Sequence, residues 1–394
     1  MHGTDNQATL PLPFDSARLD RLMDEAGIDV LLATSKHNVQ YLLGGHRSFF
    51  FDYMDAIGTS RYLPVLVYPK GRPEDAAYIG SVMEGFEKAL GRFWPTTAQT
   101  ASWGSRDAIT LASEHAARIA PSTAAIGIEA GFLPYDAGQV LQDAFGNRRI
   151  VDATFVLERL RMIKSPQELD LLRQASDAVI ASMGAVFAAC RPGMTKNDLV
   201  ARLRSEEVSR GLNFEYCLIT NGTDMNRAPS DRTIAEGDIM SVDSGGNYHG
   251  YIGDLCRMGM VGEPDSELTD LLGFIEEVQM AARKPIRPGV RGGEIFAVAE
   301  PIVEASAHQR YTEFLAHGMG LVSHEGPRLT STGAVPYEGY DADRPLEAGM
   351  VISIETTMKH PKRGFIKLED TVAVTADGWE GFGDSHRGWN RAGG

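Results

Sequence analysis

Four carboxylates stand where strand-like sequence should keep them out of water. In DIMSVDSGGNYHGYIGDLCRMGMV, two apolar-rich strands flank a Gly-Asn-Tyr-His-Gly turn, and Asp243 and Asp254 lie on opposite arms, so a hairpin brings them together. VISIETTMKHPKRGFIKLEDTVAVT repeats the arrangement, with Glu355 and Glu369 on either side of a Pro- and Gly-containing connection. Desolvation and mutual repulsion drive up the pKa of such acids and protonate some of them, a conflict that divalent cations remove. A lone acid on the solvated face of a strand would explain any one of these residues. It does not explain four, each between apolar neighbours in paired hairpins.

A fifth ligand candidate lies in FLAHGMGLVSHEGPRL, where His317 is followed by Gly318 and Gly320, residues that permit a tight backbone near a site, and then by His324. His249, His308 and His360 have no such setting and read as ordinary surface or core histidines. Oxygen-rich coordination with one imidazole favours manganese, iron, cobalt or zinc over a thiolate site or an all-oxygen calcium cage.

Hydrophobic periodicity indicates the elements that must position these groups. Phe14 to Gly27 carries Leu19, Leu22, Met23 and Ala26 at helical spacing, with Gly27 as a C-terminal stop. IDVLLATS, Leu63 to Tyr68 and Ala124 to Glu129 read as buried strands, so the first region is α/β. Ser165-Pro166-Gln167-Glu168 combines an N-cap serine, proline at the first helical position and a capping-box glutamate, which predicts a long helix running to the break at Arg191-Pro192-Gly193. Thr195 caps a second helix carrying Leu199 and Leu203 and ending at Gly211, and strands then dominate to Met260. Further helices are predicted from Ser266 to about Lys284 and from about Glu294 to His308, with strands again between Gly349 and Thr375. Helices, hairpin, helices, hairpin hints at two similar halves, although no sequence repeat marks a duplication. The change of pattern predicts two domains, 1–160 and 161–394.

The net charge of -15 repels nucleic acid phosphates and anionic lipid head groups, and excludes both as natural partners, while it suits metal cations. MHGTDNQATLPLPF contains no basic segment followed by an apolar stretch, and no apolar run reaches membrane-spanning length. Cys190, Cys217 and Cys256 are odd in number and far apart, unlike a disulfide framework or a zinc motif, so the expected location is the cytoplasm.

With these motifs in order, the chain resembles the pita-bread metallohydrolases, the group of Xaa-Pro aminopeptidase, Xaa-Pro dipeptidase, methionine aminopeptidase and creatinase. RLDRLMDEAGIDVLLATSKHNVQYLLGG is similar to the start of the creatinase-type N-terminal domain, and LERLRMIKSPQELDLLRQASDAV to the junction into the catalytic domain. VDSGGNYHGYIGDLCR, LAHGMGLVSHEGP, SIETT and IKLEDTVAVTADGWE follow the family's order and ligand spacing. The resemblance implies an α/β N-terminal domain and an α+β pita-bread catalytic domain. It also implies two divalent ions, one held by Asp243, Asp254 and Glu369 and the other by Asp254, His317, Glu355 and Glu369. A water bridging the pair would attack the scissile carbonyl, Glu355 would shuttle the proton, and His324 would donate a hydrogen bond to the substrate or tetrahedral intermediate.

Two departures bear on the substrate. Aligning NGTDMNRAPSDRTIAEGD on its PSD segment matches Asn221 to the family's Asn-x-x-x-x-His element but puts Asn226 where the histidine is expected, and SIETTM replaces the commoner Glu-Pro-Gly. The leading expectation is an amide or peptide hydrolase of the Xaa-Pro type. The alternatives are a metalloenzyme acting on a small non-peptide metabolite, similar to ectoine hydrolase or a dimethylsulfoniopropionate lyase, and a catalytically silent binding protein. In HRSFFFDYMDAIGTSRYLP, Phe49, Phe50, Phe51 and Tyr53 cluster beside Arg47 and Asp52, and either pack inside or line a pocket. By the creatinase likeness the expected assembly is a homodimer whose partner loop helps select substrate, with Arg47, Arg61 and Trp103 as substrate-contact candidates.

Overall fold

The computed structural model describes residues 11–47, 62–330 and 338–393. Two compact units form, Met1–Arg161 and Met162–Gly394. In the first, the elements are α1 (Ser16–Ala26), β1 (Val30–Ala33), α2 (Lys36–Leu42), β2 (Val65–Pro69), β3 (Ala77–Ser81), α3 (Gly85–Ala89), β4 (Thr97–Ser102), α4 (Ser105–Ile119), β5 (Ile126–Ile128), α5 (Tyr135–Phe145), β6 (Ile150–Asp152) and α6 (Thr154–Arg161). The six strands make one sheet in the order β4-β3-β2-β1-β5-β6. The Asp15 carboxylate caps α1, and Gly27 ends it in the left-handed region at φ 63°.

The central strands β1 (VLLA) and β2 (VLVYP) are unbroken apolar runs because both faces of the sheet are covered there. Leu31, Leu66 and Tyr78 pack with Leu19, Met23 and Leu160 on one side. Val30, Leu32 and Val67 pack with Ile109, Ala112 and Leu141 on the other. Phe49, Phe50, Phe51, Asp52, Tyr53 and Arg61 lie outside the described residues. Arg47 is half-buried, with its Nη1 3.4 Å from Gln40 Oε1, and Trp103 is exposed on the segment between β4 and α4.

The second unit contains α7 (Pro166–Ala189), α8 (Lys196–Ser209), β7 (Asn213–Asn221), β8 (Ile239–Tyr248), β9 (Tyr251–Met260), α9 (Ser266–Arg283), α10 (Glu294–Glu304), β10 (Thr312–Gly318), β11 (Val351–His360), β12 (Gly364–Val374), β13 (Trp379–Phe382) and β14 (Asn390–Arg391). Ser165 and Glu168 form the reciprocal capping box that opens α7. The last helix is shorter than its periodicity predicts: it stops at Glu304 rather than His308, with Pro301 in its final turn and Ala305 as the cap. Two helices followed by three strands occur twice in succession, and the sheet runs β10-β11-β12-β9-β8-β7. Its two halves meet in one register pair, Glu369 opposite Cys256.

Strict alternation along these strands separates a helix-covered face from a polar one. On β9, Leu255 packs into the core with Val179 and Phe187 of α7, while Asp254 and Cys256 point the opposite way. Gly253 makes this close packing feasible, since a Cβ there would sit 2.7 Å from the Ala175 backbone. On β12, Ile366 and Leu368 pack with Leu272 and Ile275 of α9, leaving Lys367, Glu369 and Thr371 on the far face. Among the described residues, no helix is long and apolar enough to cross a membrane, and the three cysteines are free and buried.

Candidate metal centre

The two hairpins present their acids differently. Around the His249–Gly250 turn, both of whose residues have positive φ, Asp243 pairs with Cys256 and Asp254 with Gly245, so the two aspartates sit on one face two rungs apart. In the other hairpin, Glu355 and Glu369 are directly opposite each other. All four acids line one cavity, and Asp243, Asp254, His317 and Glu369 are buried, with Glu355 half-buried.

His317 occupies the penultimate position of β10, opposite Ser353. Its Nδ1 lies 3.1 Å from the Gly318 carbonyl, and since a carbonyl accepts only, Nδ1 carries the proton and Nε2 faces the acids. Nε2 is buried with no hydrogen-bond partner, 3.6 Å from Glu355 Oε1 and 3.8 Å from Glu369 Oε1. The glycines that follow it have a steric reason: a Cβ on Gly318 would collide with the Gly326 backbone, and one on Gly320 with the Glu325 carboxylate. That carboxylate is held 3.1 Å from Lys164 Nζ in a buried ion pair, which pins the loop bearing His324. The His324 ring stacks on His317 with centroids 3.8 Å apart.

Among the described residues, three groups have ligand atoms lying within 4.8 Å of one another: Asp254, His317 and His324; His317, Glu355 and Glu369; and Asp243, Asp254 and Glu369. A geometry of this kind fits a divalent cation at the His317 end, where a buried imidazole nitrogen and two carboxylate oxygens converge on a space none of them bridges. At the Asp243 end a cation is already built in. Lys367 Nζ lies 2.7 Å from Asp243 Oδ2, 2.6 Å from Glu355 Oε2 and 2.6 Å from Glu369 Oε2. Arg227 forms a second ion pair with Asp243 and lies over the Phe365 ring.

Electrostatics follow from this layout. Burial works against the Lys367 ammonium, but Asp243, Glu355 and Glu369 outweigh it and hold its pKa well above the ordinary lysine value. Burial likewise works against ionised Glu369, and the charges of Lys367 and His317 overcome it and hold the carboxyl well below its usual range. For Asp254 the balance tips the other way: burial, then Glu369 and Asp243, outweigh a hydrogen bond from Tyr216 and the charge of Lys367 and push it well above the usual range. Asp243 is intermediate, raised by burial and restrained by Lys367, to about 6. Burial and the neighbouring His317 depress His324 to about 3.

The cavity above these groups has a volume of about 430 Å³ and is lined by Tyr216, Leu218, Arg227, Phe314, Phe365 and the Glu313–Lys359 ion pair, among others. Sequence reasoning passed over Lys367 and Arg227. Lys367 had a legible signal, standing two residues before Glu369 and so on the same face of its strand; Arg227 lies in a connection without periodicity. Asn226 is exposed and turned into its own loop, its Oδ1 accepting from Ala228 N, and it does not line the cavity. His308 and His360 meet edge to face with ring centroids 5.9 Å apart, and neither lines the cavity.

Comparison with known proteins adds the wider context. Residues 170–376 match the family described as Metallopeptidase family M24, and residues 16–163 match the Creatinase/Prolidase N-terminal domain. The "Probable dipeptidase PepE" of Mycobacterium bovis is 35% identical over 244 residues, which cover 60% of this chain and 62% of that relative's length. The crystal structure of dipeptidase PepE from Mycobacterium ulcerans is 26% identical, covers 96% of each chain and superposes with a TM-score of 0.76. The Xaa-Pro dipeptidase of Bacillus anthracis, 23% identical, shares the fold with a TM-score of 0.80 over 95% of this chain and 98% of its own.

Proposed function

The chain belongs to metallopeptidase family M24, and from that premise we propose that it is a divalent-metal-dependent hydrolase of short peptides, of the dipeptidase or Xaa-Pro dipeptidase type. The observation that carries this reading is the buried His317 Nε2, lacking a hydrogen-bond partner and facing oxygens of Glu355 and Glu369. Asp243, Asp254, His317, Glu355 and Glu369 form the acid–imidazole cluster that holds metal, with manganese, cobalt, zinc or iron compatible with its donors. Metal bound there supplies Lewis acidity, polarising the substrate carbonyl and acidifying water.

The remaining steps fall to the chain's own side chains. Glu355, half-buried and open to the cavity, takes a proton from the attacking water and delivers it to the departing amine. His324 is neutral at physiological pH, because burial and His317 depress it, so it offers a hydrogen bond to the substrate without adding charge. Lys367 keeps Glu369 ionised and fixed. A cavity of about 430 Å³ suits a dipeptide-sized ligand. The assembly is a homodimer in this reading, to be checked by light scattering.

A second reading, hydrolysis of a small non-peptide metabolite, is favoured by Asn226, whose side chain turns away from the cavity while the neighbouring Arg227 lines it. Turnover of Xaa-Pro and other dipeptides, measured with manganese, cobalt or zinc and after chelation, separates the two. Metal-dependent cleavage is the expected result. Protein that binds metal yet cleaves none of these peptides would reject the first reading in favour of the second.

A further inference from the structure

We infer that the centre takes one divalent ion, not a pair, and that the ammonium of Lys367, with the guanidinium of Arg227, permanently occupies the place of the second cation. This rests on the reading of the cluster as a metal centre, and it concerns how many ions that centre admits.

The division of oxygen atoms carries the argument. Lys367 Nζ approaches Asp243 Oδ2, Glu355 Oε2 and Glu369 Oε2 at 2.6–2.7 Å, one carboxylate for each of its N–H donors. The opposite oxygens of both glutamates, Oε1 in each case, face His317 Nε2. Each glutamate therefore spans two cationic positions, one filled by the lysine and one open to an ion. Of the three ligand groups, the two containing His317 use the open side, whereas the group of Asp243, Asp254 and Glu369 overlaps the acids that Lys367 and Arg227 already engage.

Charge points the same way. Four carboxylates alone would be neutralised by two divalent ions. Lys367 and Arg227 remove half of that demand, leaving two negative charges for one divalent ion to balance. A second ion would leave the pocket with a surplus of two positive charges in a buried, weakly screened setting. Nor can both cations share the position, since a metal needs oxygen ligands at about 2.0–2.2 Å on atoms the ammonium already holds. Lys367 is buried on all sides, 4% exposed along its side chain, and stands at i, i+2 from Glu369 on one strand, so its stem leads into the cluster and not toward solvent.

The experiment is a metal count on full-length protein, stripped with chelator and reloaded with excess manganese or zinc, by elemental analysis and by calorimetric titration. One ion per chain is expected. Two ions would overturn this inference and leave the metallohydrolase reading intact, whereas none would overturn that reading itself. Lys367→Met is expected to raise the count to two, and Lys367→Arg to leave it at one. A count of one in folded Lys367→Met would remove the role given to the lysine. Should Lys367→Met fail to fold, the wild-type count still decides.

Discussion

Glu369 and Asp370 are adjacent on β12 and face opposite sides of the sheet, and the clusters they join differ in one respect, charge balance. Behind the sheet, Asp370 lies 3.0 Å from Arg257 Nη1, 2.8 Å from Arg283 Nη2 and 2.5 Å from Arg387 Nη1, and accepts from Gln279 at 2.8 Å. Asp384 and Glu276 complete the group by pairing with Arg283 and Arg387. Three acids thus meet three arginines. Burial disfavours the Asp370 carboxylate, but Arg257, Arg387 and Arg283 together hold its pKa far below the usual range. On the cavity side, among the described residues, four acids meet two permanent cations, Lys367 and Arg227, and Asp254 is left with a pKa well above the usual range. A buried acid cluster whose charges balance is suited to scaffolding; one left with a deficit is suited to binding a cation.

The largest expected effect lies in the unbalanced cluster. Asp254→Ala and Glu369→Ala should each reduce kcat by roughly 10³–10⁴-fold, the scale of losing an essential catalytic group. Asp243→Ala should lose less, because Asp243 is held by Lys367 and Arg227. Steady-state kinetics beside metal content checks this, and equal residual activity in all three would erase the distinction among the acids.

Next comes the balanced cluster. Asp370→Ala leaves the buried Arg257 without its carboxylate and strips Arg283 of one of its two, and should cost about 3–5 kcal/mol of stability. Urea denaturation measures that loss, and the folded variant should bind as much metal as the parent. A loss of metal at unchanged stability would show that the two faces of β12 are not separable.

A smaller effect tests the rule on an acid whose main contact is neutral. Glu207 is fully buried, with Ser244 Oγ donating to it at 2.8 Å. Burial, offset in part by Ser244 and reinforced by Glu215, raises its pKa to about 7. Because the folded-state pKa lies above the unfolded one, its favourable contribution is present at low pH and is lost as pH rises toward 7. Glu207→Gln should therefore raise the melting temperature at pH 8 and give no gain at pH 4. A gain independent of pH would point to packing instead of ionisation.

Much of this organisation was legible in the chain. Ser165 and Glu168 announced α7 because a capping box is a local hydrogen-bond pattern, and the acids of the two hairpins were evident because alternation fixes their face. The end of α10 was overrun, since Ile302 and Val303 continue the apolar pattern past Pro301. The arginines behind β12 come from β9, α9 and the segment after β13, so their convergence on Asp370 is tertiary and leaves no local trace. Lys367 was hidden by convention more than by physics, as a lysine in a strand is ordinarily read as solvated.

The solitary rung between Glu369 and Cys256 has a consequence for how the cavity exists at all. Had β9 and β12 zipped along their full length, the sheet would have continued unbroken where the acids now converge. The room for a ligand is made by backbone pairing withheld, and the one rung retained ties the two halves together at the carboxylate they have in common.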